Sequence, residues 1–216
     1  MNALVIEISF FEAFFKVHHT RGFRLSYPIP LPTSVAGIFG ALLGVERGKM
    51  KEFDFLFGAK IKKYQGSTNE NATFLQYKSK GIERGVASLN LVNSPTYLIA
   101  MGGKEDNVEE VLTKLRTSVE FLPYGGQNDF FVSDWKIVGI DEIEESNEIA
   151  NYAPQDWIEP KFEGSLELQI LPVRHTLSEN PNFYFLTKGK LKLKNKALCT
   201  KSEKIGLYAL DGFQVL

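Results

Sequence analysis

From Ser26 to Gly44 the chain reads Ser-Tyr-Pro-Ile-Pro-Leu-Pro-Thr-Ser-Val-Ala-Gly-Ile-Phe-Gly-Ala-Leu-Leu-Gly. Pro28, Pro30 and Pro32 fix φ and hold the residues before them extended, so the chain should reach Thr33 and Ser34 as a stiff arm. Thr33 or Ser34 can cap the first free N–H groups of a helix, which the spacing predicts over about Ser34 to Val45. Val35, Ile38, Phe39, Leu42 and Leu43 form its apolar stripe. Gly37, Gly40 and Gly44 each cost about 1 kcal/mol against alanine, so a close neighbour is expected, either another backbone or a phosphate chain. A helix N-terminus of this kind is also a ready anion site.

A chain of 216 residues with 44% hydrophobic content can bury a core as one large domain or two small ones. The longest uncharged run, Leu25 to Val45, is broken by three prolines, so neither a membrane span nor a secretory leader is expected, and a cytoplasmic location follows. The one cysteine, Cys199, reads as a buried small hydrophobe. Net charge is −1, which excludes an indiscriminate polycation. The distribution is uneven: Asp141, Glu142, Glu144, Glu145, Glu148, Asp156, Glu159 and Glu163 face only Lys161, whereas Lys188, Lys190, Lys192, Lys194, Lys196, Lys201 and Lys204 face only Glu203. This pattern predicts one acidic and one basic surface.

Alternation of Leu4, Ile6, Ile8 and Phe10 predicts an opening strand. Strands are expected at Phe53 to Tyr64, Pro95 to Met101 and Trp135 to Ile143. Gln65 to Asn71 reads as a polar loop, and a second helix should carry Val108, Val111, Leu112, Leu115 and Val119 on one face. The order strand, helix, strand, strand, helix, strand predicts an α+β, ferredoxin-like (RRM-like) domain over 1–145, with an insertion at about 60–90. Short strands at 166–171, 183–186, 190–194 and 205–210 predict a small β-rich part over 146–216. In 190–194 Leu191 and Leu193 should face inward and the lysines outward.

Several residues fit RNA. Arg21 and Arg24 can pair with phosphates, while Phe23 and Tyr27 can stack on unpaired bases. Lys62, Lys78, Lys80 and Arg84 of the insertion, interleaved with Tyr64, Phe74 and Tyr77, suit a finger that grips a single strand. Gly125 and Gly126, flanked by Tyr124 and Asn128, either point N–H groups at an anion or form a plain turn. Arg174 and His175 are adjacent, and His175 could serve as a general base in RNA cleavage. Neighbouring His18 and His19 would point to opposite faces of a strand, so no metal site is read. No Walker loop, HExxH, G-x-S-x-G or paired-cysteine motif occurs, and no cofactor or small-molecule substrate is expected.

The Tyr27 to Gly44 segment, Ser94-Pro-Thr-Tyr-Leu-Ile-Ala100 and Tyr124-Gly-Gly-Gln-Asn-Asp-Phe-Phe131 together resemble the fifth family of CRISPR-associated (Cas) proteins, the RAMP-type subunit of type I Cascade complexes. The resemblance implies a ferredoxin-like domain with an inserted thumb and a β-rich C-terminal part. It implies a ribonucleoprotein subunit that holds the five-prime repeat handle of crRNA, with a Cascade backbone subunit and large subunit as partners. By position the proline arm, the Ser34 helix start, Gly37 and the Gly125-Gly126 loop would meet RNA. One branch of the family processes precursor crRNA by metal-independent cleavage with a tyrosine, a lysine and a histidine. This sequence has no lysine-histidine pair in mid-chain, so a non-catalytic subunit is expected, with an endoribonuclease using His175 as the alternative. A third reading, from the acidic 141–163 segment, is a module that touches only protein.

Overall fold

The computed structural model describes residues 1–18, 20, 23–46, 48–79, 81–160 and 165–213, and for Lys78 the backbone only. Arg21, Lys80, His19, Lys161 and Glu163 therefore lie outside the described residues. Strand β1 (Asn2–Phe10) is followed by four two-residue strands, β2 (Glu12–Ala13), β3 (Phe15–Lys16), β4 (Phe23–Arg24) and β5 (Ser26–Tyr27). Helix α1 (Pro32–Leu43) leads through a short 3-10 turn to β6 (Leu56–Lys63), then β7 (Ser67–Lys78), β8 (Gly81–Asn93) and β9 (Thr96–Gly103). Helix α2 (Glu105–Thr117) precedes the long β10 (Val132–Ile149) and β11 (Tyr152–Pro154). The chain closes with β12 (Glu167–Pro172), β13 (Asn182–Lys188), β14 (Leu191–Thr200) and β15 (Tyr208–Ala209).

The result is a mixed, strand-rich α+β protein. Its central sheet runs β14-β10-β1-β9-β6-β15, antiparallel at every pairing. Alternation along β1 explains its two faces. Leu4, Ile6, Ile8 and Phe10 join the main core with α1 and α2, while Ala3 and Val5 pack on the other side with Leu98, Ala100, Ile205 and Leu207. The residue-145 boundary falls inside β10, and the C-terminal segment contributes a sheet edge on each side. That segment also forms a cluster of its own around Leu191, Leu193 and Cys199, and burial pushes the Cys199 thiol up.

Three sequence expectations change. Helix α1 starts at Pro32, with Leu31 as its cap residue and no side-chain cap, so neither Thr33 nor Ser34 caps it. A proline fits the first helical position because it has no N–H to leave unpaired, and the Ser34 N–H is taken up by the Leu31 carbonyl at 2.9 Å. Residues 67–71 are strand rather than loop. Their polar side chains are held by β8: Asn90 Nδ2 donates to Ser67 Oγ and Asn69 Oδ1, and Thr68 Oγ1 donates to Asn93 Oδ1. The insertion is accordingly the β7–β8 hairpin, and Lys60, Lys62 and Lys63 belong to β6 in the central sheet.

The separate acidic and basic surfaces do not form. The antiparallel register of β10 against β14 brings the two charge runs together. Lys201 Nζ lies 2.6 Å from Glu142, Lys190 lies 3.5 Å from Glu148, Lys192 lies 3.4 Å from Glu159, and Lys204 pairs with Glu144. Leu191 and Leu193 do face inward with Lys192 and Lys194 outward, but Lys194 donates to the Asp156 carbonyl at 2.7 Å.

Candidate nucleic-acid interface

The proline arm is an interior element. Pro28 to Pro32 are all buried, the Tyr97 hydroxyl donates to the Pro28 carbonyl at 3.0 Å, and the Tyr27 hydroxyl donates to the Pro172 carbonyl at 2.7 Å. Tyr27 stacks on Phe185 with ring centroids 5.2 Å apart, so the base it was expected to hold is replaced by a protein ring. Burial pushes its phenol well above the ordinary tyrosine value.

The glycines of α1 divide by environment. Gly44, at φ +70°, closes the helix in the left-handed conformation, and its N–H meets the Ala41 carbonyl. A Cβ at Gly40 would stand 3.3 Å from the Met50 Cγ, closer than ordinary van der Waals contact. Gly37 and Gly44 are both exposed, but a Cβ at Gly44 would stand 2.7 Å from the Glu120 side chain, whereas nothing lies within 4 Å of where one would stand at Gly37. Ser34, one turn earlier, is half-buried.

The Gly125-Gly126 loop resolves toward its turn reading. Its N–H groups are consumed internally, Gly125 by the Phe130 carbonyl at 2.7 Å and Gly126 by the Tyr124 carbonyl at 2.9 Å. Gly126 has φ +93°, and a Cβ there would run into the Phe14 carbonyl oxygen, so glycine is required by internal packing rather than by an anion. The loop nevertheless presents side chains outward: Phe121 and Phe131 are each 65% exposed, and Tyr124 and Asn128 are exposed beside them. It also ties the elements together. Phe121 N–H donates to the Ala41 carbonyl at the end of α1, and Phe130 packs on Phe14 at 6.2 Å beneath the hairpin.

Strand β8 is the scaffold on which the remaining candidates converge. It pairs along its length with β7, while β2 and β4 line its other edge through Ala13 opposite Val92 and Arg24 opposite Leu89. One hairpin face packs inward: Ala72, Phe74, Ala87, Leu89 and Leu91 cluster with Phe14 and Phe130. The other face is open. The cross-strand pairs Thr73 with Val86, Leu75 with Arg84, and Tyr77 with Ile82 project from it, and Tyr77 is 78% and Val86 70% exposed.

At the hairpin base Arg24 lies over the Phe74 ring, 4.9 Å from its centroid. Gly85 makes room for that ring, since a Cβ there would stand 2.6 Å from it. Arg24, Glu70, Phe74, Gln127, Asp129 and Phe130 enclose a concavity of about 260 Å³ between the hairpin and the 121–131 loop. Arg24 and the loop that carries Tyr124 and Asn128 thus lie at the packed face of the hairpin, whereas Arg84 stands on its open face.

Lys62 does not join them. It projects from the other face of the central sheet, 2.6 Å from Glu7, and this hydrogen bond, with the Lys62 and Lys136 charges, holds the Glu7 carboxyl below its ordinary value against the effect of burial. Arg174 and His175 also lie elsewhere. The His175 ring packs edge-on against Phe183 at 4.7 Å, its Nδ1 accepts from Leu177 N–H, and its Nε2 therefore donates to the Asn180 carbonyl. Burial pushes the imidazole below its ordinary value, the neutral form that both bonds require. Among the described residues no group of three or more histidine, cysteine or acidic side chains could hold a metal ion, and no helix is long and apolar enough to cross a membrane.

Sequence periodicity missed Leu75, Ile82 and Val86 as surface residues, although their alternation with polar neighbours was a readable signal. The exposure of Phe121 and Phe131 and the Glu70 and Asp129 rim had no sequence signal.

No protein-family model and no curated protein matches the sequence. A solved chain described as a CRISPR RNA-guided surveillance complex is similar over 93% of this chain and 92% of its own, at TM-score 0.50 and 14% identity. Two further solved structures, described as a Cas protein and a CRISPR-associated protein, cover 88% and 91% of this chain at 14% and 13% identity, with TM-scores of 0.41 and 0.42. The likeness to the surveillance-complex chain is one of fold, and it extends over nearly the whole of both chains.

Proposed function

We propose that this protein is a non-catalytic guide-RNA-binding subunit of a CRISPR RNA-guided complex of the Cascade type, which holds the five-prime repeat handle of crRNA and nucleates assembly of backbone subunits. The observation that carries the reading is the exposed face of the β7–β8 hairpin, where Tyr77 stands opposite Ile82 and Arg84 opposite Leu75, with Arg24 and the 121–131 loop lying against the hairpin's opposite, packed face. Exposed rings next to arginines suit unpaired bases on a phosphate chain, because stacking tolerates any base and guanidinium groups pair with phosphates. The fold likeness to a surveillance-complex chain supports the same assembly context. We read β1, α1, β6, β9, α2 and β10, in sheet order β10-β1-β9-β6, as the ferredoxin-like unit, the hairpin as its thumb and the later strands as the β-rich part.

One feature supports a non-catalytic role. Both His175 nitrogens are committed to internal hydrogen bonds, so neither offers a free lone pair to a substrate hydroxyl. The test is incubation of the purified chain with labelled repeat RNA, with and without EDTA. Saturable binding that weakens steeply with salt and leaves the RNA intact is expected. A discrete cleavage product would overturn the non-catalytic reading, and absence of binding would overturn the RNA-binding reading.

A further inference from the structure

The face of the central sheet turned away from α1 and α2 is covered over only part of its length. Along β1 the residues on that face pass from buried to open: Ala3 and Val5 pack with Ile205 and Leu207, Glu7 and Ser9 are half-buried, and Phe11, just beyond the strand, is 69% exposed. The register carries this uncovered end across the neighbouring strands. Lys63, Thr96, Ser9 and Asp134 form one row over β6, β9, β1 and β10, with Ser9 Oγ 2.9 Å from Thr96 Oγ1. One step further, the pairing of Phe10 with Val132 sets Phe11 beside Phe131, and Phe131 bridges in turn to Tyr124. Phe10 and Val132 pack in the main core, so alternation turns Phe11 and Phe131 to the uncovered face, and the antiparallel bridge puts Tyr124 there with them. Three exposed rings thus stand on three adjacent backbones, roughly 4.8 Å from one to the next. The Phe11 end is fixed by Ser94 N–H, which donates to its carbonyl at 2.9 Å.

We propose that Phe11, Phe131 and Tyr124, backed by Lys62, Lys63 and Lys136, form a second platform for single-stranded RNA on the sheet, separate from the open face of the hairpin; the proposal rests on the RNA-binding reading and extends it. The rings stack on about two or three unpaired bases, and the phosphates run along the lysines. Lys63 is exposed and forms no ion pair among the described residues. Lys62 and Lys136 share the single Glu7 carboxylate, so one of them can turn to a phosphate while Glu7 keeps the other. The composition of the patch favours RNA over a protein partner. Lysine, acidic residues and serine are depleted at protein interfaces, whereas aromatic rings interleaved with cations are what a single strand requires.

The test titrates the full chain with a labelled oligouridylate thirty-mer over a range of salt concentrations. Phe11→Leu with Phe131→Leu keeps the apolar bulk of both exposed side chains and removes their flat faces, so the fold should stand and the affinity should drop at least about tenfold. Phe11→Tyr with Phe131→Tyr retains the rings and should bind at least about tenfold more tightly than the leucine pair. Lys63→Gln should reduce the slope of log affinity against log salt by about 0.7, the share of one phosphate on a single strand. Parent-like affinity of the leucine pair overturns the platform while the RNA-binding reading stands. Equal weakening by the tyrosine and leucine pairs overturns stacking, and an unchanged slope for Lys63→Gln overturns the path of the phosphates. Absence of binding by the unaltered chain overturns the RNA-binding reading and the platform with it.

Discussion

The proline arm with α1 and the β7–β8 hairpin are built on opposite terms. The arm carries the most elaborate sequence signal in the chain, and the structure spends it inward: Pro28 to Pro32 are buried, and the start of the arm is fixed twice, by the Tyr27 hydroxyl donating to the Pro172 carbonyl and the Tyr97 hydroxyl donating to the Pro28 carbonyl. The hairpin has an ordinary sequence and leaves Leu75, Tyr77, Ile82, Arg84 and Val86 exposed on one face. A rigid backbone signature therefore marks where the fold is fixed, and a projecting strand pair with a bare face marks where a partner can act. Among the glycines of α1, Gly37 alone has nothing within 4 Å of where a Cβ would stand.

The comparison breaks first at Tyr27. Tyr27→Ala removes a fully buried ring stacked on Phe185 and should destabilise the protein by about 3–5 kcal/mol in urea unfolding. Tyr27→Phe deletes only the hydrogen bond to Pro172 and should cost about 1 kcal/mol. A stable, fully folded Tyr27→Ala that has lost RNA affinity would move the arm to the functional side. Gly126→Ala should destabilise by about 1–3 kcal/mol, because it strains a positive φ and collides with the Phe14 carbonyl.

Tyr77→Ala should behave in the reverse sense. Its stability should stay within about 0.5 kcal/mol of the parent, as for other surface sites. Its RNA affinity, read by fluorescence anisotropy, should drop by the equivalent of about 1–3 kcal/mol for one lost stacking platform. The smallest effect concerns the ion pairs between β10 and β14. The Glu142 carboxyl is held below its ordinary value by its hydrogen bond to Lys201, so its contribution is present above the ordinary carboxylate range and lost as pH falls through the lowered value. The ammonium groups of Lys201 and Lys204 are held above 10.5 by Glu142 and Glu144, so theirs is present below 10.5 and lost as pH rises through the raised value. Thermal unfolding should show both flanks, and both should shrink in high salt, most for the exposed Lys201–Glu142 pair and least for the half-buried Lys204–Glu144 pair. An unchanged profile for Glu142→Gln with Glu144→Gln would remove this account.

Much of the fold was legible because periodicity records burial directly. The alternation of β1, the stripe of α1 and the Val108, Leu112 and Leu115 face of α2 all emerge from spacing. Charge runs were misleading for the opposite reason. Whether a row of acids becomes a surface depends on what pairs beside it, and the pairing of β10 with β14 is a contact between segments some fifty residues apart. The same limit hid the polar start of β7, whose asparagines and serine read as a loop until β8 supplies their partners. For the candidate site, residue type alone singled out Arg24, Arg84 and Tyr124. It could not separate them from Tyr27, Lys62, Arg174 and His175, because chemistry is local and accessibility is not.

Photo-crosslinking of the full chain to a labelled single-stranded repeat RNA, with the attached peptides identified by mass spectrometry, tests the central claim most directly. Crosslinks are expected on Tyr77 and its neighbours over 73–86 and on Tyr124 and Phe131, and none on Tyr27 or Tyr97. Crosslinks confined to the arm, or to the lysine strand at 190–201, would contradict the account.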